Sequence, residues 1–217
     1  VGLVWLETIQ GEGGVRPLPV AILETINRLQ EQGGYLVGVD EIQTGFFRTG
    51  SFLHCSGKVR PHIVSLAKGL SDMTFPMGAV MMTEAAYRSA SAAFPELVRL
   101  FEQAPVSQVG AHIALHGLVQ AEKMKLGENA RAMGEILKAG LQKIKKKVPC
   151  IVDVRGEGLM IGMELDTELA GWQIPLLGEY LGGIFAGRCL RDKDTPVLSA
   201  YTLNNPRIVR YEPAPKE

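Results

Sequence analysis

The sequence predicts an α/β fold, in which a mostly parallel sheet with flanking helices is followed by a smaller α+β region. Two observations lead to this prediction. Apolar runs at residues 1–6 and 35–39 flank a segment of helical periodicity, which is the pattern of a strand-helix-strand crossover between parallel strands. After Pro149 the pattern changes to closely spaced strands with one further helix, which is typical of an α+β region.

The first elements follow from apolar runs and from glycine and proline positions. Residues 1–6 predict a buried strand, and the glycine-rich segment 10–14 (QGEGG) predicts a loop. Pro17 and Pro19 stand at positions suited to the start of a helix, which should end at the glycine pair 33–34. These signals place the first helix between the first two strands of the parallel sheet.

The next two predicted strands are each followed by a charged residue that could take part in catalysis. The strand at 35–39 delivers Asp40 at its carboxyl end, and the strand at 63–66 is followed by Lys68. Because parallel strands end at the same edge of a sheet, we expect Asp40 and Lys68 to lie on one edge.

The rest of the chain predicts further strands, two long helices and a second domain. Strands are predicted at 77–82, 151–155, 159–165 and 208–211, and helices at 106–125, 128–147 and near 176–191. We expect a larger domain over residues 1–125 and a smaller α+β domain over residues 126–217.

Composition excludes several classes of function. The 217 residues contain 23 Lys and Arg and 23 Asp and Glu, so the formal net charge is zero. A neutral chain has no overall positive charge to attract nucleic acid or an anionic membrane. Three distant cysteines argue against a disulfide framework or a metal site. No apolar stretch reaches the length of a membrane span, and we expect a cytoplasmic protein. The chain opens on a strand without an initiator methionine, so we expect residues upstream of Val1.

Lys68 is the strongest indication of chemistry. A lysine at the end of a strand, next to Gly69, is expected to point into a crevice and to be partly desolvated, which is what Schiff-base chemistry requires. The alternative is an ordinary surface lysine. Asp40 alone would equally suit a helix cap or a loop carboxylate.

Three segments in register give these residues a family context. They are residues 7–14 (ETIQGEGG), 40–50 (DEIQTGFFRTG) and 65–70 (SLAKGL). Together they resemble the class III aminotransferases, fold-type I enzymes that use pyridoxal phosphate. The resemblance implies that residues 1–125 are part of the cofactor-binding large domain of that fold.

The resemblance also implies a role for each matching residue. Lys68 would form the Schiff base with the cofactor and then transfer a proton between substrate and cofactor carbons. Asp40 would hold the ring nitrogen protonated, and Gln43 would hydrogen-bond the phenolic oxygen of the ring. Glu41 is expected to support the loop rather than to touch the cofactor.

A substrate-binding pair is implied in the same way. Arg210 lies in a segment similar to the family's C-terminal I-R-x-x-P, where the arginine binds a substrate carboxylate through two parallel hydrogen bonds. Glu12 would pair with Arg210 when the substrate lacks that carboxylate. A structural salt bridge is the ordinary alternative. Arg155 is a competing arginine, although its glycine-rich setting favours a turn between strands.

The sequence also departs from the family pattern. Residues 100–105 (LFEQAP) stand where the family has T-x-G-G-N-P, and Leu100 cannot donate the threonine's hydrogen bond to the cofactor phosphate. The family's phosphate-binding loop, its ring-stacking aromatic residue and the complete C-terminal helix after Pro213 are not in this sequence.

The function implied is a pyridoxal-phosphate-dependent transamination from an amine or amino acid to a keto acid or aldehyde, by a homodimer in its full-length form. Decarboxylation or an aminomutase reaction on the same scaffold is one alternative. A non-catalytic fragment or pseudoenzyme is the other.

Overall fold

The computed structural model describes residues 2–71, 74–166 and 180–215, which belong to two compact units. The first unit comprises Val1–Thr8, Pro19–Phe46 and Ser51–Met124. The second unit comprises Ile9–Leu18, Phe47–Gly50 and Lys125–Glu217. The chain therefore contributes two short early segments to its second unit.

In chain order, the described strands are β1 (Leu3–Leu6), β2 (Ile9–Gln10), β3 (Arg16–Pro17), β4 (Leu36–Asp40), β5 (Ile63–Leu66), β6 (Ala79–Met82), β7 (Ile151–Glu157), β8 (Met160–Leu165), β9 (Ala200–Tyr201) and β10 (Ile208–Tyr211). The described α-helices are α1 (Val20–Gly33), α2 (Glu84–Ala93), α3 (Pro95–Glu102), α4 (Gln108–Lys123), α5 (Leu126–Lys145) and α6 (Leu181–Leu190). A 3₁₀ turn covers Lys68–Ser71.

The first unit is built on a four-stranded sheet in the order β1-β4-β5-β6. β1, β4 and β5 are parallel, and β6 is antiparallel to β5. Helix α1 connects β1 to β4 and ends at Gly34, whose φ of 63° is readily adopted by glycine. Alternating residues of β5 and most of β4 are buried. The expected crossover and the mainly parallel α/β sheet are confirmed.

The second unit is built on an antiparallel sheet in the order β7-β8-β10-β9. One face packs against α5 and α6, where the core contains Leu141, Ile161, Met163, Leu181 and Val209. The other face carries the β2–β3 hairpin, whose Ile9 and Val15 are buried together with Met160. Side chains alternate along the strands, so the charged residues of β7, β8 and β10 lie on the hairpin side.

Some local expectations from the sequence were wrong. Pro17 pairs with Ile9 in the hairpin instead of starting a helix, while Pro19 does precede α1. Arg155 lies inside β7, and the turn begins later, at Gly158, whose φ is 55°. Helix α2, capped by Thr83, and helix α3, with Pro95 in its first turn, were not foreseen.

Other expectations extend past the described part of the chain. The helix near 176–191 is observed as α6, and its expected first residues fall outside the described ranges. No helix in those ranges is long and apolar enough to cross a bilayer. The assignment of residues 1–125 and 126–217 to two functional domains stays a prediction.

Candidate active site

The register of the parallel strands brings Asp40 and Lys68 to one sheet edge. β4 and β5 run in the same direction, and Asp40 pairs with Ser65. The chain leaves β5 at Leu66 and reaches Lys68 two residues later. The expected shared edge is confirmed, whereas the chemical roles of the two side chains stay predictions.

Asp40 begins a tight loop. Its Oδ1 accepts a hydrogen bond from the Ile42 backbone N–H at 2.9 Å. The loop then closes through Gly45, where an added Cβ would lie 2.8 Å from the Glu41 carbonyl oxygen and 2.9 Å from a Leu66 methyl carbon. Backbone packing therefore leaves little freedom to the residues between Asp40 and Gly45. Gln43 lies half-buried within this loop.

Glu41 anchors the loop from inside, as expected. Its side chain is 1% exposed and accepts hydrogen bonds from the Thr44 hydroxyl at 2.6 Å and from the backbone N–H groups of His54 and Cys55 at 3.1 and 2.7 Å. Burial and the nearby Glu41 carboxylate raise the pKa of the Cys55 thiol to about 12. His54 continues the network, because its Nδ1 lies 2.7 Å from the Thr8 hydroxyl.

Lys68 has an unusual backbone conformation. Its φ of 46° lies in the left-handed region, which non-glycine residues rarely adopt and which recurs at functional sites. Gly69 follows directly and would bring an added Cβ to 3.2 Å from Phe46, so the turn is closely packed on that side. The geometry fixes the direction in which the lysine side chain departs.

The expectation that Lys68 is partly desolvated was wrong for the described residues. The side chain is exposed, because β5 has ended and the 3₁₀ turn carries Lys68 out onto the surface of the first unit. Exclusion of water from this amine would have to come from groups outside the described residues.

Ser65 lies beside Asp40 in the sheet and was not singled out from the sequence. It is the ladder partner of Asp40, and side chains of paired residues lie on the same face of a sheet. Among the described residues, its buried hydroxyl oxygen has no hydrogen-bond partner, which is costly unless a ligand satisfies it. A lone serine within the apolar strand IVSL was the available signal.

The second unit holds the other predicted pair together. Arg210 Nη1 donates to Glu12 Oε1 at 2.6 Å, and Glu12 Oε2 accepts from the Leu203 backbone N–H at 2.8 Å. The Arg210 side chain is 14% exposed and that of Glu12 is 40% exposed. The ion pair that the sequence predicted between these residues is present in the structure.

Arg155 holds the loop that carries Glu12. Its Nε and Nη2 donate to the Gly14 carbonyl oxygen at 2.9 and 2.7 Å, while Nη1 pairs with Asp153 at 2.8 Å and Glu164 at 2.6 Å. Burial favours the neutral form of Asp153, but the hydrogen bond and charge of Arg155 outweigh it and lower the pKa of this carboxyl. Arg155 is therefore a structural anchor in β7.

A glycine between the two arginines lets the hairpin approach the sheet. Gly162 on β8 pairs with Arg155 on one side and with Arg210 on the other. An added Cβ at Gly162 would lie 2.8 Å from Cβ of Val15. A glycine inside a strand often marks such a close approach, and this was the sequence signal that could have revealed the anchor.

The altered segment at 100–105 begins within a helix. Leu100 lies in α3 and is 66% exposed, and the helix ends at Glu102. Ser107 then caps α4, where its hydroxyl accepts from the Gly110 N–H at 3.1 Å. Residues 100–105 (LFEQAP) contain no hydroxyl side chain that could replace the threonine of the family pattern.

Comparison with known proteins gives a consistent result. Residues 1–185 match the family model described as aminotransferase class-III. Acetylornithine aminotransferase 1 of Bordetella parapertussis is 38% identical over 168 residues, covering 76% of this chain and 41% of that protein. The N-acetylornithine aminotransferase structure from Stenotrophomonas maltophilia K279a matches 99% of this chain and 51% of its own, with a TM-score of 0.73 and 26% identity.

A third comparison includes a cofactor. The ornithine aminotransferase of Toxoplasma gondii, in a structure with partial occupancy of PLP at the active site, aligns with a TM-score of 0.74 and 27% identity. The alignment covers 97% of this chain and 46% of the Toxoplasma gondii chain. This chain thus spans about half the length of these structures, and the fold-type I architecture expected for it is confirmed. The chain belongs to the class III aminotransferase family.

Proposed function

We propose that the full-length protein containing this chain is a pyridoxal-phosphate-dependent aminotransferase. The observation that carries the proposal is the parallel pairing of β4 and β5, which puts Asp40 and Lys68 at one edge. Open α/β sheets bind their ligands outside the carboxyl ends of their strands, and this is the edge in question. Family membership supports the same conclusion.

The residues at this edge suit the cofactor. Lys68 would bind it covalently, Asp40 would lie against the ring nitrogen, and Gln43 would meet the phenolic oxygen. The unsatisfied Ser65 hydroxyl, next to Asp40 on the ladder, supports a polar ligand at this position. When bound, pyridoxal phosphate supplies an electron sink for the carbon that loses its proton.

The side chains of this chain would then divide the work. The Asp40 carboxylate keeps a proton on the ring nitrogen through charge and hydrogen bonding. Lys68 Nζ would be the base that takes the proton from the amino-bearing carbon of the donor, and its ammonium form would then give that proton back. Glu41 holds the Asp40 loop in place through its three hydrogen bonds.

In the second unit, Arg210 would bind the carboxylate of a keto acid or amino acid substrate. Two parallel N–H donors match a carboxylate, which explains the use of arginine. When the substrate lacks a carboxylate, Glu12 pairs with the Arg210 guanidinium. When the substrate has one, Glu12 moves away and the substrate carboxylate takes its place. The 40% exposure of the Glu12 side chain, which accepts from Arg210 Nη1, is compatible with such an exchange.

The relatives suggest the first substrates to test. Their names make N-acetylornithine and ornithine the leading amino donors, with a keto acid or aldehyde as acceptor. A cytoplasmic homodimer is proposed for the full-length protein, with residues 1–125 in the cofactor domain and 126–217 in the smaller one. Large apolar side chains on α3 and α4 are more than half exposed, which supports coverage by further polypeptide; they include Leu97, Leu100, Phe101 and Val109.

A non-catalytic role is the second candidate, favoured by Leu100 in place of the threonine. A turnover assay on the full-length protein separates the two. Lys68→Ala should abolish transamination because it removes the amine proposed to bind the cofactor and to transfer the proton. Lys125→Ala is the matched control, since Lys125 is also exposed and also has a left-handed φ, of 54°. Equal activity of Lys68→Ala and wild type would refute the proposed role, and an inactive wild type across the donor panel would favour the non-catalytic candidate.

A further inference from the structure

Arg210 faces two carboxylates rather than one. Glu12 bonds its Nη1 at 2.6 Å, while Glu212 Oε1 lies 3.9 Å from its Nε. In the described structure this Nε is buried and has no hydrogen-bond partner. The second acid is thus close enough to act through its charge, and a shift of about 1 Å would bring it within hydrogen-bond distance.

The two acids are attached differently. Glu12 lies in the turn of the β2–β3 hairpin, and its side chain is 40% exposed, so it can rotate away from Arg210 while Arg155 holds the loop. Glu212 directly follows β10, two residues from Arg210, and the chain beyond it is held by side chains: Arg48 donates to the Pro213 carbonyl and Asn129 donates to the Pro215 carbonyl at 2.6 Å. Glu212 therefore stays beside Arg210 when Glu12 withdraws.

This difference matters for substrate binding. A carboxylate gains most from a guanidinium when it takes two donors and meets an uncompensated positive charge. With Glu12 withdrawn, the Glu212 carboxylate, 3.9 Å from the Arg210 Nε, still offsets part of that positive charge. Because the Arg210 side chain is largely buried, this charge is screened less than at an open surface.

We propose that Glu212 is a specificity-determining residue that weakens the binding of carboxylate-bearing substrates at Arg210. It shifts the preference of the site toward amines and aldehydes that lack this carboxylate. The inference rests on the proposed substrate role of Arg210. Glu212 acts through Arg210 and is not a reacting group.

The test uses the full-length holoenzyme with 2-oxobutanoate and propanal as acceptors, which differ by one carboxylate. In Glu212→Gln, the ratio of kcat/KM for 2-oxobutanoate to that for propanal should rise about five- to tenfold, mainly through a lower KM for the keto acid. Glu212→Asp keeps the charge and should stay near the wild-type ratio. An unchanged ratio in Glu212→Gln, or an equal rise in both variants, would overturn the inference.

Two further measurements keep the outcomes separable. Butanoate should inhibit Glu212→Gln at a Ki lower by about the same factor, because inhibition reports binding without turnover. Arg210→Gln should lose most of its activity toward 2-oxobutanoate. If Arg210→Gln leaves the keto acid kinetics intact, the proposed role of Arg210 fails. If it removes them while Glu212→Gln changes neither the ratio nor the Ki, the role of Glu212 alone is wrong.

Discussion

The two units position their proposed functional residues by different means. In the first unit, Asp40 and Lys68 are placed by backbone register, by the tight turn at Gly45 and by the left-handed backbone of Lys68. In the second unit, Glu12 and Arg210 are placed by ion pairs between side chains, with Arg155 as an anchor. The comparison teaches that the proposed catalytic residues depend on the sheet, whereas the proposed substrate-binding residues depend on a charge network that single substitutions can retune.

The largest expected effect is on kcat and concerns Asp40, which the backbone of the first unit holds at the sheet edge. Asp40→Asn should retain the cofactor but lower kcat by about 10²- to 10⁴-fold, because a neutral amide does not hold the proton on the ring nitrogen. Steady-state kinetics and cofactor absorbance on the full-length protein measure the two quantities separately. Glu31→Gln is the matched control, since it makes the same carboxylate-to-amide change at an exposed residue outside the Asp40 loop and should leave kcat unchanged. An Asp40→Asn variant with normal kcat would remove Asp40 from the mechanism.

The second effect concerns the charge network. Arg155→Met should lower the free energy of unfolding by about 3 kcal/mol, because it leaves the partly buried Glu164 without its closest partner and frees the Gly14 carbonyl. Arg16→Met is the matched control, since Arg16 also binds Glu164 but its side chain is 49% exposed, and it should cost less than about 1 kcal/mol. Urea unfolding measures both. Equal losses would show that Arg155 is not the anchor.

These residues also show how much of the fold and of the candidate site could be predicted from the sequence. The placement of Asp40 and Lys68 at one edge of the sheet was predicted correctly, because apolar runs and helical spacing indicate parallel strands, which end at the same edge. The contacts of Gly14 with Arg155 and of Arg210 with Glu212 were not foreseen. The first joins residues far apart in sequence, and the second depends on side-chain direction after a strand. The exposure of Lys68 was missed because a strand pattern does not report where the following turn carries the chain.

A smaller effect concerns pH and the same network. The pKa of Asp153 is lowered in the folded state, so its stabilising contribution is present above the unfolded pKa of about 3.9 and is lost as pH falls through the folded value. Its side chain is 45% exposed, so the contribution should stay below about 1 kcal/mol. Urea unfolding of wild type and Asp153→Asn should differ at pH 6 and converge toward pH 3. A difference that grows on acidification would contradict the sign of this shift.

A separate effect concerns the reactivity of Cys55 beneath the Asp40 loop. With its pKa raised to about 12 and its side chain 1% exposed, this thiol should react with iodoacetamide at least about 100-fold more slowly at pH 8 than half-buried Cys150. Peptide mass mapping after timed alkylation gives both rates. Similar rates would mean that the Glu41-anchored loop opens readily.

The most direct test of the central claim is to treat the full-length protein with pyridoxal phosphate and borohydride, and to locate the reduced adduct by peptide mass mapping. If Lys68 and Asp40 share a cofactor edge, the adduct is found on Lys68 and is lost from that peptide in Lys68→Ala but not in Lys125→Ala. An adduct on another lysine, or none on the folded wild-type protein, would contradict the account.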